Sequence, residues 1–439
     1  MSFAGLSLGN TPPLQVPLRF FVTAPLFLFL AGVLLLTAGW WSVPGRWSPL
    51  WLALTHLWVV GFMLMVMLGA LQQVIPVLLG SALPGARAVA FWGHLLLVAG
   101  TLSLVWGFLS EWKLCFVLAA ALLPAAVLLV GGTACVALGR SPSRHASRLS
   151  LALALAALGF TLVIGSWLAL GHGGLAVLAR RYTDLHLGWG LLGWTVLLVS
   201  GVAWQVVPMF QITPRYPLVM MRWFGALHFL ALSVWSVARW RLDAPWLQWV
   251  GAAWLSVSLA LFAAITLRLQ AKRRRRVADS TLDFWRLSMI SLLLAVLSWW
   301  ARRMGILLPA PLPAILFVTG FVGSAILGML YKIVPFLVWL HLTNRAQASG
   351  VVPRGLPNMK QVIPNERSKR LFRLYTAWLP LSWAVPFRME WLGPPAGLLL
   401  MAVALVLARH LHQAVRLYRR RRRGLERGNG SHAASFHSP

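Results

Sequence analysis

Acidic residues are scarce in this chain. Eight Asp and Glu stand against 39 Lys and Arg in 439 residues, a net charge of +31. Charged residues of both signs make up only 11 % of the sequence, too few to cover the surface of a water-soluble fold of this length. Cysteine is nearly absent. Cys115 and Cys135 fall 20 residues apart in one apolar run. Helical rise separates them by roughly 30 Å, so neither a disulfide nor a paired thiol site is expected. Carboxylates inside the apolar runs are missing as well, since every acidic residue maps to a loop or to the end of a run. An acidic proton relay through a membrane is thereby excluded.

What is abundant is apolar sequence. The hydrophobic fraction is 59 % and the mean hydropathy +0.76, which places the chain among integral membrane proteins. Twelve runs approach or exceed the length of about 20 residues that crosses a bilayer as a helix. They lie near 18–41, 50–79, 88–109, 113–138, 149–170, 183–210, 218–238, 245–267, 284–304, 313–340, 371–388 and 391–412. Arg373, Pro380 and Pro386 interrupt the eleventh. The first has no short apolar core with a small-residue cleavage site, so it is expected to be a retained helix.

Basic residues set the expected orientation. Arg140, Arg144 and Arg148, the cluster Arg268 with Lys272–Arg276, the 342–370 loop and Arg419–Arg423 all fall on one side. The opposite loops hold one or two each, such as Arg46, Lys113, Arg180 with Arg181, and Arg302 with Arg303. Both termini are therefore expected in the cytoplasm, in a bacterial inner membrane. The positive charge is expected to meet anionic lipid rather than nucleic acid. Residues 413–439 read as a basic, disordered tail. Trp40, Trp41, Trp299 and Trp300 sit near the ends of runs, as interfacial anchors do.

A pattern recurs along the chain. Gly61, Gly69 and Pro76 are echoed by Gly193, Gly201 and Pro208, and again by Gly320, Gly328 and Pro335, at offsets of 132 and 127 residues. The three copies fall on helices 2, 6 and 10. They divide the chain into units at about 18–138, 149–267 and 284–412, all within one helical membrane domain spanning 1–412. Small residues at such positions let helices approach closely.

Twelve helices in three four-helix arcs, with functional residues on helices 2, 6 and 10, resemble subunit I of the haem–copper oxidases. The stretch from His56 through GFMLMVMLGALQQVIPVLLG also resembles the NnrS-type haem- and copper-containing membrane proteins. This resemblance implies an all-α, pseudo-threefold bundle carrying haem, with copper as a second metal. In the resembling oxidases, helix 2 supplies an axial haem ligand from the same periplasmic third of the membrane.

His56 and His186, on helices 2 and 6, are the first ligand candidates. A histidine inside a membrane span marks a functional site until shown otherwise, and neutral imidazole binds iron and copper. Met63 and Met67 share the His56 face, which suits a soft metal. Asp184, two residues before His186, is a candidate to orient it, or to pair with Arg180 or Arg181. His94 and His228, on helices 3 and 7, form a second candidate pair nearer the cytoplasmic face. The position three before each repeat proline holds Gln73, Gln205 and Lys332, a possible polar ring with Tyr331 beside it. The lysine there would hold an anion or snorkel to the headgroups. His172 is expected in a glycine-flanked periplasmic loop, His341 at a surface, and His410, His412, His432 and His437 at the interface or in the tail.

Symmetry does not by itself join the two leading histidines. His56 precedes its repeat glycine by five residues and His186 by seven, which turns them about 160° apart in the repeat frame. The position matching His56 on helix 10 is Ile315. Helix 7 has no adjacent histidine pair, and His186 is followed by Leu187, Gly188 and Trp189 in place of the oxidase copper-site signature. Proton-pumping oxygen reduction is not expected. Electron transfer, or handling of a small diatomic ligand such as nitric oxide, is. The competing readings are a secondary transporter, whose repeats are usually twofold, and a cofactor-free assembly protein. In the orientation expected, fluorescent-protein fusions at the C-terminus are bright and alkaline-phosphatase fusions there are inactive; the reverse pattern would overturn it.

Overall fold

In the computed structural model, the residues described are 8–37, 45–143, 145–241, 244–274, 277, 279–348 and 356–434. Trp40, Trp41, Arg144, Arg275, Arg276 and His437 lie outside them. Every regular element among the described residues is helical. The long helices are α1 (Gln15–Leu36), α2 (Pro49–Leu79), α3 (Ala86–Ser110), α4 (Lys113–Arg140), α5 (Ser147–His172) and α6 (Arg180–Gln211). They continue with α7 (Leu218–Trp240), α8 (Pro245–Ala271), α9 (Ser280–Arg303), α10 (Leu312–Ala348), α11 (Asn365–Ala384) and α12 (Met389–Ala434). Eleven of them, all but α11, are long and apolar enough to cross a membrane. The first half of α11 carries Glu366, Arg367, Lys369, Arg370 and Arg373, which explains its lower apolarity.

Burial separates the helices into two sets. The apolar windows of α2, α6 and α10 are 89 %, 61 % and 83 % buried inside the protein, against at most 56 % in the other candidate spans. The other helices form a belt in chain order that closes where α1 packs along α12. At the closure two glycines meet. A Cβ on Gly397 would lie 2.5 Å from the Gly32 carbonyl oxygen, so the two backbones touch.

The sequence repeat is a repeated contact. A Cβ on Gly61 or Gly69 would run into Phe27 or Phe20 of α1. Gly193 and Gly201 meet Ala157 and Ser150 of α5 in the same way, and Gly320 and Gly328 meet Ser291 and Phe284 of α9. In each case the two facing residues are seven apart on the helix that precedes the inner one. Small residues thus seat every inner helix against its predecessor, by the close packing that membranes favour where lipid is as apolar as the side chains.

Each inner helix also contains a π-helical stretch, at Leu57–Leu64, Gly188–Thr195 and Leu316–Gly323. These wider turns include the first repeat glycine. Such segments displace the regular backbone bonds and are frequent at functional sites. Neighbouring side chains attend to the carbonyls. His228 Nε2 lies 2.9 Å from the Leu192 carbonyl oxygen, Ser288 Oγ donates to that of Phe321 at 2.7 Å, and the Tyr375 hydroxyl donates to that of Thr319.

Two expectations are corrected by the helix boundaries. The basic segment after residue 412 continues α12 as helix to Ala434, with Arg422 and Arg345 both on Glu426 at 2.8 and 3.2 Å. α10 also outruns its expected end, so His341 is a mid-helix residue. Its Nδ1 faces the Leu337 carbonyl and its Nε2 that of Pro12. Gly397→Leu should wedge α12 away from α1, lowering the melting temperature of the purified protein and broadening its size-exclusion peak. Overpacking of this kind costs about 1–3 kcal/mol. Unchanged melting and elution would show that the belt does not depend on this contact.

Candidate metal-binding site

His56 ends the α-helical stretch Pro49–His56, directly before the first π turn. Its Nδ1 lies 2.7 Å from the Leu52 carbonyl oxygen one turn back. A carbonyl only accepts, so Nδ1 carries the proton and Nε2 keeps its lone pair. His186 sits two residues before the second π stretch and repeats the arrangement by another route. Its Nδ1 lies 3.0 Å from the Thr161 carbonyl oxygen on α5. The ring rests against Gly165, where a Cβ would come within 2.6 Å of the imidazole Cε1. Only glycine leaves room for it.

The two rings come together, with centroids 6.5 Å apart and planes within 22°. The opposed orientation expected from the repeat is what permits this. Residues on two neighbouring inner helices face each other only if each turns toward the other, so they cannot occupy equivalent positions. Neither Nε2 has a hydrogen-bond partner among the described residues. A metal-ligating histidine typically donates its other nitrogen to a carbonyl or carboxylate, which fixes tautomer and orientation. Both rings meet that condition.

Both line a cavity of about 1290 Å³, largely apolar, that also takes in Met63, Met67 and His172. Five arginines share its lining: Arg46, Arg180, Arg239, Arg302 and Arg303. Asp184 is the one acidic residue among them. It bridges Arg46 at 2.7 Å and Arg239 at 3.0 Å. The expected pairing with Arg180 or Arg181 is therefore replaced, and the carboxylate braces the rim while Thr161, not Asp184, orients His186. Around His56, Phe108 lies 5.1 Å away and separates it from His172, whose ring stacks on Phe116 at 4.9 Å. His172 is the last residue of α5 rather than a loop residue.

The second expected pair is not brought together. His228 is fully buried with both nitrogens engaged, Nδ1 by Ser258 Oγ at 2.7 Å and Nε2 by the Leu192 carbonyl at 2.9 Å. No nitrogen is left for a metal; the ring holds the π turn of α6. His94 Nε2 is bonded to Thr23 Oγ1 at 2.9 Å, between α3 and α1, away from the cavity lining. His410, expected at the interface, is buried and bonded to the Tyr331 hydroxyl at 2.7 Å.

Two of the three polar positions before the prolines are served from just ahead of their own unit. Gln205 meets His145, and Lys332 pairs with Asp279 at 2.7 Å, so this ammonium is already neutralised. His145 and Asp279 both stand one or two residues before the first helix of their unit. Burial lowers the His145 pKa below the usual histidine value, with Gln205 pulling the other way. In the first unit that place falls at Pro13 and Leu14, and the Gln73 amide stays buried without a partner among the described residues.

Thr161, Gly165 and Phe108 were not singled out by sequence, because nothing in the spacing of α3 or α5 shows which face meets a histidine on another helix. No group of three or more His, Cys, Asp or Glu side chains suited to a metal occurs among the described residues. No protein-family model matches the chain, and no curated protein matches it in sequence. The geometry fixes a tautomer that ¹⁵N-histidine NMR can read. Wild-type protein without added metal should show two Nδ1-protonated imidazoles whose signals vanish in His56→Phe and His186→Phe; Nε2-protonated rings at these positions would contradict the assignment.

Proposed function

We propose that this is a haem-binding membrane protein with the organisation of oxidase subunit I, in which His56 and His186 bind one haem iron and the protein transfers electrons. The observation that carries the reading is the pair itself. Two imidazoles have their Nδ1 atoms spent on carbonyls and their Nε2 atoms free beside a large apolar cavity. Two imidazoles that held one ion, at about 2 Å each, would have ring centres no more than roughly 6 Å apart. The observed 6.5 Å lies close to this limit.

The number of ligands favours haem over a bare ion. Zinc and copper sites of protein ligands alone usually need three or four donors. Haem iron needs only one or two from the protein, because the macrocycle supplies the rest. The arginines of the rim supply positive charge for the carboxylates of a tetrapyrrole, and the apolar walls suit its faces. With both imidazoles bound, the iron would have no vacant position, which favours electron transfer over capture of nitric oxide or another diatomic ligand. A diatomic reading requires one imidazole to leave.

The same proposal includes the finer architecture. Three four-helix arcs around α2, α6 and α10 account for the threefold glycine contacts and for the burial of those helices. Both termini are placed in the cytoplasm, in a bacterial inner membrane, with the histidine pair toward the periplasm and the basic connections toward anionic lipid. An electron-transfer protein of acidic surface would suit the arginine rim. A transporter or a cofactor-free assembly protein gives no reason for two histidines locked in one tautomer at a shared cavity.

Detergent-purified protein should show a Soret band and, on reduction, the sharp visible bands of six-coordinate haem. His56→Ala and His186→Ala should each abolish the six-coordinate spectrum, while His94→Ala leaves it intact. A colourless, metal-free protein that is nevertheless well folded would sink the proposal.

A further inference from the structure

The seam between α11 and α12, at the end of the bundle that carries the repeat prolines, contains a second cationic group unrelated to the histidine pair. His410 on α12 is 93 % buried by virtue of a relative exposure of 7 %. The Tyr331 hydroxyl, 2.7 Å from its Nδ1, has no other hydrogen-bond partner among the described residues. A buried hydroxyl donates where an acceptor is available, so Tyr331 donates to Nδ1 and the ring proton sits on Nε2. That N–H points away from Tyr331 and has no partner among the described residues.

Arginines surround it. Arg367 on α11 donates to Gln413 of α12 at 2.8 Å, one turn beyond His410. The helices run in opposite directions, since Trp378, further along α11, donates to the Ala396 carbonyl, earlier on α12, so Arg370, one turn beyond Arg367, falls near the level of His410. Arg409 precedes His410 on α12. The charges of Arg367, Arg409 and Arg370 all act on the ring. Arg370 and Arg409 have no acidic partner among the described residues.

We infer that this seam binds the phosphate of an anionic phospholipid, with Arg370 and Arg409 as the charged contacts and His410 Nε2–H as a fixed donor. The shared chemistry is a phosphate oxyanion, which accepts charge-assisted hydrogen bonds from guanidinium groups and from a positioned N–H. The lipid source is favoured by place. The seam lies where α11 and α12 leave the apolar part of the bundle, the depth at which basic pockets between membrane helices take anionic headgroups. Tyr331, by fixing the tautomer, acts as a positioning residue.

The test uses delipidated full-length protein in mild detergent, titrated with phosphatidylglycerol, with phosphatidylcholine, or with inorganic phosphate, and scored by native mass spectrometry. Wild type should retain phosphatidylglycerol in preference to phosphatidylcholine. The exposed double variant Arg370→Ala/Arg409→Ala should weaken that retention by about tenfold or more, and His410→Phe should weaken it as well. Arg420→Ala/Arg421→Ala, further out on α12, should change it little. The optical spectrum should stay unchanged in Arg370→Ala/Arg409→Ala, which keeps this result separate from the haem proposal. Equal retention in wild type and Arg370→Ala/Arg409→Ala would overturn the inference, as would equal binding of the two lipids. Displacement of the lipid by inorganic phosphate at equal concentration would overturn the lipid assignment.

Discussion

Close backbone approach at six glycines is the constraint on which the rest of the structure depends. In a bilayer there is little hydrophobic gain in bringing two apolar helices together, so association rests on packing. Gly61, Gly69, Gly193, Gly201, Gly320 and Gly328 bring α2, α6 and α10 against α1, α5 and α9. That contact fixes the three inner helices, and every candidate for chemistry on them inherits its position from it. The π turns sit within the same frame. They alter the rotation of what precedes them, and His56 and His186 stand one and two residues before two of the three.

The frame is threefold, whereas its polar content is not. One pair of inner helices meets through two histidines at 6.5 Å, another where Gly323 of α10 faces the Trp58 indole of α2, a Cβ there coming within 3.3 Å of the ring, and the third through Phe210 and Phe336 at 6.1 Å. At the proline end, two units close their polar position with a residue just ahead of the first helix, and in the first unit Gln73 has no partner among the described residues. A repeated scaffold has been given different side chains at equivalent places. The histidine pair exists because equivalent positions differ.

Much of this was legible in the sequence, and the boundary has physical causes. The glycine–proline spacing located the inner helices because close packing requires small residues at fixed intervals. His56 and His186 stood out because imidazole is rare in apolar runs. Their meeting was not legible, since a rotation taken from a regular helix says nothing of a π turn or of which neighbour a face confronts. His228, in the second candidate pair, was also an imidazole in an apolar run, and the Leu192 carbonyl on its Nε2 marks it as a structural histidine rather than one with a free nitrogen. The helical continuation of α12 to Ala434 was hidden because an arginine run suits a disordered tail and an exposed helix equally well. Thr161 and Gly165 were invisible because their importance lies wholly in what they touch.

The central claim is that one ion-centred group lies between His56 and His186. A density map of the full-length protein, purified in lipid nanodiscs and resolved well enough to show side chains, tests it most directly. The account predicts a planar density in the cavity, bonded on opposite sides by the two Nε2 atoms, with each Nδ1 still on its carbonyl. A cavity filled by lipid or water, with both Nε2 atoms turned away from any shared density, would contradict it.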